Sequence, residues 1–320
     1  MEYNKRYKNL QMQWRELKSE NKKIRIRDAA FKLNSNEGEL LSTEIDENTF
    51  LLSIDNYKEF LKLIFQFSNL MFLVRNDIAV HEKIIKTKDY IINENIIISI
   101  DKKFLLQIQL DAIKFAFYSK KINKKISLRS FQFFDDFGNS ILKIYLKSDE
   151  FSQFDNLGQK YKIHYNYQLQ KINQNKPNNN KHLTLNDIKS EHKLSNYILI
   201  DQKKYNREIF RLIIELLSKK NILFQIILIN KFAIQYHIEE INKIIDFGPW
   251  FNIMDKNFNL HILEKNIEYV NIKTFKQLNN YFYIIELFDE KNVPILALYP
   301  YQLANNFFSK TIRKYIIDEY

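Results

Sequence analysis

The sequence predicts an α+β fold made of two tandem copies of one unit, each an antiparallel β-sheet flanked by helices. Three observations predict it. First, FFDDFGNSILKIY (133–145) aligns without a gap to LFDEKNVPILALY (287–299). Phe134, Asp135, Ile141, Leu142 and Tyr145 recur there as Phe288, Asp289, Ile295, Leu296 and Tyr299, each copy reading as strand, tight turn, strand. Second, short segments rich in β-branched and aromatic residues recur on both sides of the chain's midpoint. Third, a stretch with linker composition lies between them. The expected organisation is a first repeat over 1–170, a linker over 171–195 and a second repeat over 196–320.

Helices open the chain. In WRELKSENKKIRIRDAAFKLNSNEGELL, Ala29, Ala30 and Leu33 repeat at helical spacing, and NSNEGELL offers an Asn or Ser cap ahead of acidic first-turn residues. Strand-like segments follow in FLVRNDIAVHEKI, YIINENIIISI, LRSFQFFD and SILKIYL. Between them, KKFLLQIQLDAIKFAF is apolar at helical and strand spacings alike, so periodicity leaves it open. Residues 168–193 hold Pro177 and an Asn run with almost no apolar periodicity, which marks the linker. The next segment, KKYNREIFRLIIELLSKKN, is a helix. Its expected buried stripe is Ile209, Leu212, Ile213, Leu216 and Leu217, with Glu208, Arg211, Glu215 and Ser218 on the other face. A second set of strands fills the rest, and TIRKYIIDEY closes the chain as a short helix. FLVRNDIAVH, ending at His81, also parallels FNIMDKNFNLH, ending at His261, with one residue inserted.

Composition narrows the class. At 45% hydrophobic and 15% aromatic, the 320 residues can bury a substantial core. Without cysteine there are no disulfides and no thiolate zinc sites. The opening MEYNKRYKNLQMQW lacks the apolar stretch of a signal peptide, and no window is apolar enough to span a bilayer. The expectation is a soluble, cytoplasmic protein without membrane insertion. Net charge is +11, but the chain is rich throughout in Lys, Asn, Ile, Tyr and Phe, the residues that AT-rich codons specify. Its basic residues are dispersed among acids, so compositional drift explains the charge better than a nucleic-acid face does.

One stretch stands out. FGPWFNIMDKNFNLHIL (247–263) places Gly248, Pro249 and Trp250 side by side in a sequence with 4 glycines, 4 prolines and 2 tryptophans. It reads as a hairpin turning at Asp255, Lys256 and Asn257. Phe258, Leu260 and Ile262 point one way, and Asn257, Asn259 and His261 the other. No set of ligands is spaced to converge on His261, so a surface or hydrogen-bonding role is expected for it, and for His81 as well.

The same stretch resembles the C-terminal signature of the HemS/HmuS/ChuS family of cytosolic heme-utilisation (hemin-degrading) proteins. LVRNDIAVHEK (73–83) is similar to that family's Arg-Asn-x-x-Ala-Val-His-Glu segment, and LRSFQFFDDFGNSILKIYL (128–146) to its Arg-Ser-x-Gln-Phe-Phe-Asp strand pair. The N-terminal WRELK…RDAAFKL…GELL and the late IIELFDEKNVPILALY also match, in family order from Trp14 to Tyr299. The family is itself a tandem duplication of an antiparallel sheet with helices.

The resemblance implies a cytosolic heme-binding protein for heme trafficking, with heme degradation as a further activity of some members. It places heme in the cleft between the C-terminal sheet and helices, and it implies a heme-donating or heme-accepting partner protein. Carried over by position, it implies Lys273 (in NIKTF) as a propionate candidate, Gln302 where the family's arginine after the last strand is lost, Tyr299 beside it as a further cofactor-binding candidate, and Lys103 (in IDKKF) in place of a distal arginine. Where the family has its axial histidine, this chain has Arg211. A guanidinium has no lone pair to give iron, so Arg211 is expected either to pair a propionate or to pair Glu208 and Glu215 on its own helix. If heme binds, either its axial ligand is another residue, with His237, His261 and Tyr299 as candidates, or the iron lacks a protein ligand. The alternative is a divergent scaffold that has lost heme and binds another anionic ligand or a partner protein.

Overall fold

A computed structural model describes the chain apart from residues 1, 23, 87–89, 94–95, 100–102, 123–126, 164–181, 185–186, 188–197, 278–279, 302–306 and 320. Three helices come first: α1 (Glu2–Glu20), α2 (Ile26–Lys32) and α3 (Glu37–Ser42). The first half then runs β1 (Thr49–Leu51), α4 (Tyr57–Ile64), β2 (Asn69–Arg75), β3 (Ala79–Lys86), β4 (Tyr90–Asn93), β5 (Ile96–Ser99), β6 (Phe104–Ile108), β7 (Phe115–Ile122), β8 (Ser127–Phe134), β9 (Ser140–Leu146) and α5 (Phe151–Lys160). The second half repeats the order. It runs β10 (Ile198–Asn206), α6 (Glu208–Lys219), β11 (Phe224–Ile229), β12 (Ala233–Glu239), β13 (Ile244–Phe247), β14 (Trp250–Met254), β15 (Phe258–Ile262), β16 (Tyr269–Gln277), β17 (Asn280–Phe288), β18 (Pro294–Pro300) and α7 (Phe307–Ile312). The fold is α+β, its ladders are antiparallel, and it is a tandem duplication. Most of the expected 171–195 linker lies outside the described residues.

The repeat is visible in its turns. Asp135 Oδ1 accepts from the backbone N–H of Phe137 and Asn139, and Asp289 Oδ1 accepts in the same way from Lys291 and Val293. Both turns reach positive φ at corresponding places, Gly138 at 74° and Asn292 at 58°. The β2–β3 turn has its own twin. Asn76 Oδ1 accepts from Ile78 and Ala79, and Asn230 Oδ1 from Phe232 and Ala233. Asn76 and Asn230 are separated by the same number of residues as Asp135 and Asp289. The counterpart of the hairpin carrying His81 is therefore β11–β12, not the β14–β15 hairpin carrying His261. The expected parallel between those two histidines is a likeness of hairpins rather than of repeat positions.

The chain folds into two compact units. One comprises residues 1–71, 86–88 and 109–181; the other comprises 72–85, 89–108 and 182–320. In the first, β1, β7, β8 and β9 form an antiparallel ladder with Phe50 opposite Tyr118, Tyr118 opposite Phe131 and Phe131 opposite Ile144. Phe60 of α4 meets Phe131 edge-on at 5.1 Å, and Phe154 of α5 lies 4.4 Å from the same ring. Each such ring contributes roughly 1.5–3 kcal/mol by leaving water. The α3 cap is Asn36, whose Oδ1 accepts from Glu39 N at 2.7 Å, as the sequence indicates. Trp14 and Leu10 of α1 pack with Ala29, Ala30 and Leu40.

In the second unit the ladder order is β10-β16-β17-β18-β11-β12-β6-β5-β4, and β3-β15-β14-β13 form another. The open segment 102–117 resolves into β6 and β7 separated by a 3-10 turn at Leu110–Ala112. Strands β4 to β6 belong to the first repeat by sequence, yet β6 pairs with β12, placing Leu105 opposite Tyr236. Likewise β15 pairs with β3, placing Leu260 opposite His81. The connection is reciprocal at the turns: Asn76 Nδ2 donates to Ile229 O and Asn230 Nδ2 to Arg75 O.

Helix α6 buries Ile209, Phe210, Ile213, Ile214 and Leu217. The expected stripe is thus rotated: Leu212 is exposed, and Phe210 and Ile214 take the inner face. Phe210 turns inward against Phe251, 5.5 Å between ring centroids, and the helix begins at Glu208 because KKYN belongs to β10. Among the described residues, no helix is long and apolar enough to cross a membrane.

Candidate functional site

Arg211 lies in the first turn of α6, and its guanidinium is held by two carboxylates. Nη1 and Nη2 donate to Asp246 Oδ2 and Oδ1 at 3.0 and 2.8 Å, a bidentate fork. Nε and Nη2 donate to Glu264 Oε1 and Oε2 at 3.0 and 2.7 Å. The Phe251 ring lies 4.7 Å from Cζ. The bonds to Asp246 and then Glu264 push the arginine's pKa further up, and the same arginine pulls Asp246 down. The expected intrahelical pairing is a minor contact: Glu215 lies at 3.8 Å, and Glu208 bonds Arg207 instead. Sequence reading missed Asp246 and Glu264 because both lie on other elements.

One face of the nine-stranded ladder carries a second cluster. Tyr299 of β18 is opposite Gln225 of β11, and Lys273 of β16 pairs with Glu286 of β17 at 2.6 Å. Tyr299 and Glu286 are buried within an apolar layer that includes Phe275, Phe282, Ile284 and Leu183. Burial, with Glu286 adding to it, pushes the Tyr299 phenol above its ordinary range. That favours phenol over the phenolate an iron ligand needs. Lys103 is exposed just before β6, where its carbonyl accepts from Ile238 N at 2.9 Å. Gln302 lies outside the described residues.

Two of the six histidines meet in the core. His81 Nε2 and His237 Nδ1 are 2.7 Å apart, both residues are fully buried, and the Phe258 ring lies 4.1 Å from His237. Lys83 and Glu239 form an ion pair two positions along the same strands. Burial, then Lys83, pushes His81 down to about 3; burial, then His81 and Lys83, drives His237 well below its ordinary value. Both rings are therefore neutral, one donating to the other, and His81 Nδ1 and His237 Nε2 have no hydrogen-bond partner. Of the two roles expected for His81, surface or hydrogen-bonding, the structure gives the second, and gives it inside the core. Sequence alternation in β12 places His237 with Gln235 and Glu239, a polar face by spacing, and only folding buries it.

His261 differs from both. Its strand alternates as the hairpin reading requires, with Phe258, Leu260 and Ile262 buried and Asn259 and His261 half-buried. Gly248 (φ 57°) and Pro249 make the two-residue turn into β14, where the positive φ suits glycine. His261 Nδ1 lies 2.6 Å from Asn252 Oδ1. The Asn252 amide donates Nδ2 to Ile245 O and Trp250 O at 2.9 and 3.0 Å, which orients Oδ1 toward the ring as an acceptor. His261 accordingly carries its proton on Nδ1 and its lone pair on Nε2, the tautomer a metal-ligating imidazole uses. Among the described residues, no group of three or more His, Asp or Glu side chains converges as a metal site.

Comparison with known proteins adds a family. The model of the "Haemin-degrading HemS.ChuX domain" matches residues 34–161 and 202–307, one match in each repeat. No curated protein shows significant sequence similarity. Among solved structures, the heme degrading enzyme ChuS of Escherichia coli O157:H7 superposes with a TM-score of 0.80 at 20% identity, covering 96% of this chain and 98% of that one. Holo-PhuS, a heme-binding protein from Pseudomonas aeruginosa, superposes at 0.75 with 18% identity over 92% and 93%. At these identities the likeness is one of fold.

Proposed function

The chain belongs to the HemS/ChuX domain family, and from that premise we propose that it binds heme inside the cell and passes it to or from a partner protein. The family match in both repeats carries this reading. The residues fit heme unevenly. Arg211 does not fit an iron ligand: it lacks a lone pair, and its donors are committed to Asp246 and Glu264. A propionate there would add a third carboxylate to the two already present. His237 is sealed in the core, and the Tyr299 phenol is held protonated. His261 is the half-buried histidine candidate, its ring oriented by the Asn252 amide as metal-ligating imidazoles are oriented by an outer acceptor. Lys103 is an exposed cation for a propionate, and Lys273, paired with Glu286, is another. Heme, when bound, supplies an iron centre whose reactivity depends on that ligand. We place carriage ahead of oxidative ring opening, since the family's own ligand position is an arginine.

Hemin titration of the purified protein tests this. The expected result is a saturable Soret shift at a fixed stoichiometry, weakened about tenfold or more in His261→Ala, on the order of 1.4 kcal/mol. An Arg211→His variant that alone acquires a six-coordinate spectrum locates the pocket at α6 and removes the His261 assignment. A featureless, non-saturating titration removes heme binding altogether.

The Arg211 clamp favours a second reading, a scaffold that exchanged its iron ligand for an ion-pair brace and now takes another anionic ligand or a partner protein. Native mass spectrometry of protein taken from cells distinguishes the two: a co-purifying mass other than heme supports the second.

A further inference from the structure

We propose that the first compact unit carries an additional binding site, for an amphiphilic anion with an oxyanion head such as a carboxylate on an apolar body. The place is a cavity of about 530 Å³ bounded by α1, the segment after α3 and the end of β7. It shares no residue with the Arg211 clamp or with His261, so it stands independently of heme binding.

Charge is the first argument. Arg15, Lys18, Lys120 and Lys121 line the cavity against only two acids, Glu44 and Asp46. Asp46 is occupied by its own turn, Oδ1 accepting from Asn48 N and Thr49 N, both at 2.7 Å. Glu44 is shared by Lys18 at 2.7 Å and Lys121 at 3.6 Å, and it also accepts from Trp14 Nε1 at 3.0 Å. Lys120 shares Asp155 with Arg129, at 2.9 and 2.6 Å, while Tyr118 OH donates to the same carboxylate. Glu44 and Asp155 thus each answer to two cations, and Asp46 to backbone N–H groups. The walls keep a positive surplus that an entering anion would neutralise.

Preorganisation is the second. Lys18 is held between Glu44 and the Trp14 ring, 4.8 Å from its centroid. Gln11 Nε2 donates to Thr43 O at 2.9 Å, tying α1 to the opposite wall. Lys120 is fixed by Asp155, itself anchored by the 7%-exposed Arg129 side chain. Little ordering of these lysines remains for a ligand to impose.

The third argument is apolar surface. Ile45 and Ile122 both line the cavity, and they are 42% and 60% exposed. Large aliphatic side chains facing water beside a cationic pocket suit a ligand with a charged head and an oily body. The volume lies within the usual range for small-molecule sites, about 300–1,000 Å³.

Trp14 and Trp250 are the only tryptophans, so a Trp250→Phe background leaves Trp14 as sole reporter in the cavity wall. Sodium decanoate, kept below its micellar concentration, is expected to change Trp14 emission saturably. Decanol and inorganic phosphate should each bind at least about tenfold more weakly, a difference of about 1.4 kcal/mol. Arg15→Gln combined with Lys121→Gln, both at exposed positions, should weaken decanoate about tenfold with circular dichroism unchanged, and Lys121→Gln alone about threefold. Absence of a saturable response to decanoate overturns the site. Equal binding of decanol removes anion recognition, equal binding of phosphate removes the apolar body, and undiminished affinity in the folded variants removes the cationic wall.

Discussion

The buried His81–His237 pair makes stability depend on mildly acidic pH. An unfolded histidine titrates near pH 6.5, whereas in the fold burial and Lys83 hold His81 at about 3 and His237 also well below its ordinary value. Because both folded values are depressed, their neutral forms favour folding fully above about pH 6.5. That contribution is lost as pH falls toward the folded values, since the unfolded chain then takes up two protons that the folded chain refuses. From pH 7.5 to 5.5 the loss is about 1.4 kcal/mol per histidine, or about 2.7 kcal/mol for the pair. Most carboxylates stay ionised in that window. Such a loss is a large fraction of a typical stability of about 5–15 kcal/mol, and with an m-value of about 3 kcal/mol/M for a chain of this size it should lower a urea midpoint by about 0.9 M. His81→Gln is the informative substitution, because glutamine stands at the corresponding position, Gln235, in the other repeat. It removes one titrating ring, so the loss should fall to about half. Urea unfolding of both proteins at pH 7.5, 6.5 and 5.5 measures this. A midpoint independent of pH, or an unchanged pH slope in His81→Gln, would refute the coupling of the pair to folding.

Two further substitutions test the packing that positions the sites. Gly158→Ala in α5 places a Cβ 2.6 Å from Tyr118 Cδ2, so thermal unfolding should show a loss of about 1–3 kcal/mol; an unchanged midpoint would mean that the ring moves aside freely. Asp246→Asn removes one arm of the Arg211 clamp. Asp246 is mostly exposed and water screens it, so the cost should be only about 1 kcal/mol or less, and it should shrink further in 1 M salt; a larger, salt-independent loss in chemical denaturation would show that the clamp acts through packing.

What the sequence determined by itself is what short-range pattern encodes. Alternation in 258–262 set the faces of the β15 strand, Asn36 three residues before Glu39 set the α3 cap, and the likeness of 133–145 to 287–299 set the tandem duplication. Even the family resemblance rested on such local motifs, in order. The α6 stripe shows the limit: apolar residues surround that helix, and where it starts and which side faces the core depended on Phe251 and its neighbours, not on spacing. Segment 102–117 was open for the same reason, until β6 found β12 and β5. The site chemistry was decided by tertiary structure almost entirely. Arg211 became a braced cation through Asp246 and Glu264, 35 and 53 residues away. His81 became a core residue through a ring 156 positions distant. By contrast His261 met Asn252 across its own hairpin, and its strand face was legible from sequence. The physical reason is that an ionisable group takes its character from the charges and the water around it, and in this chain those neighbours come mostly from strands that only folding brings together.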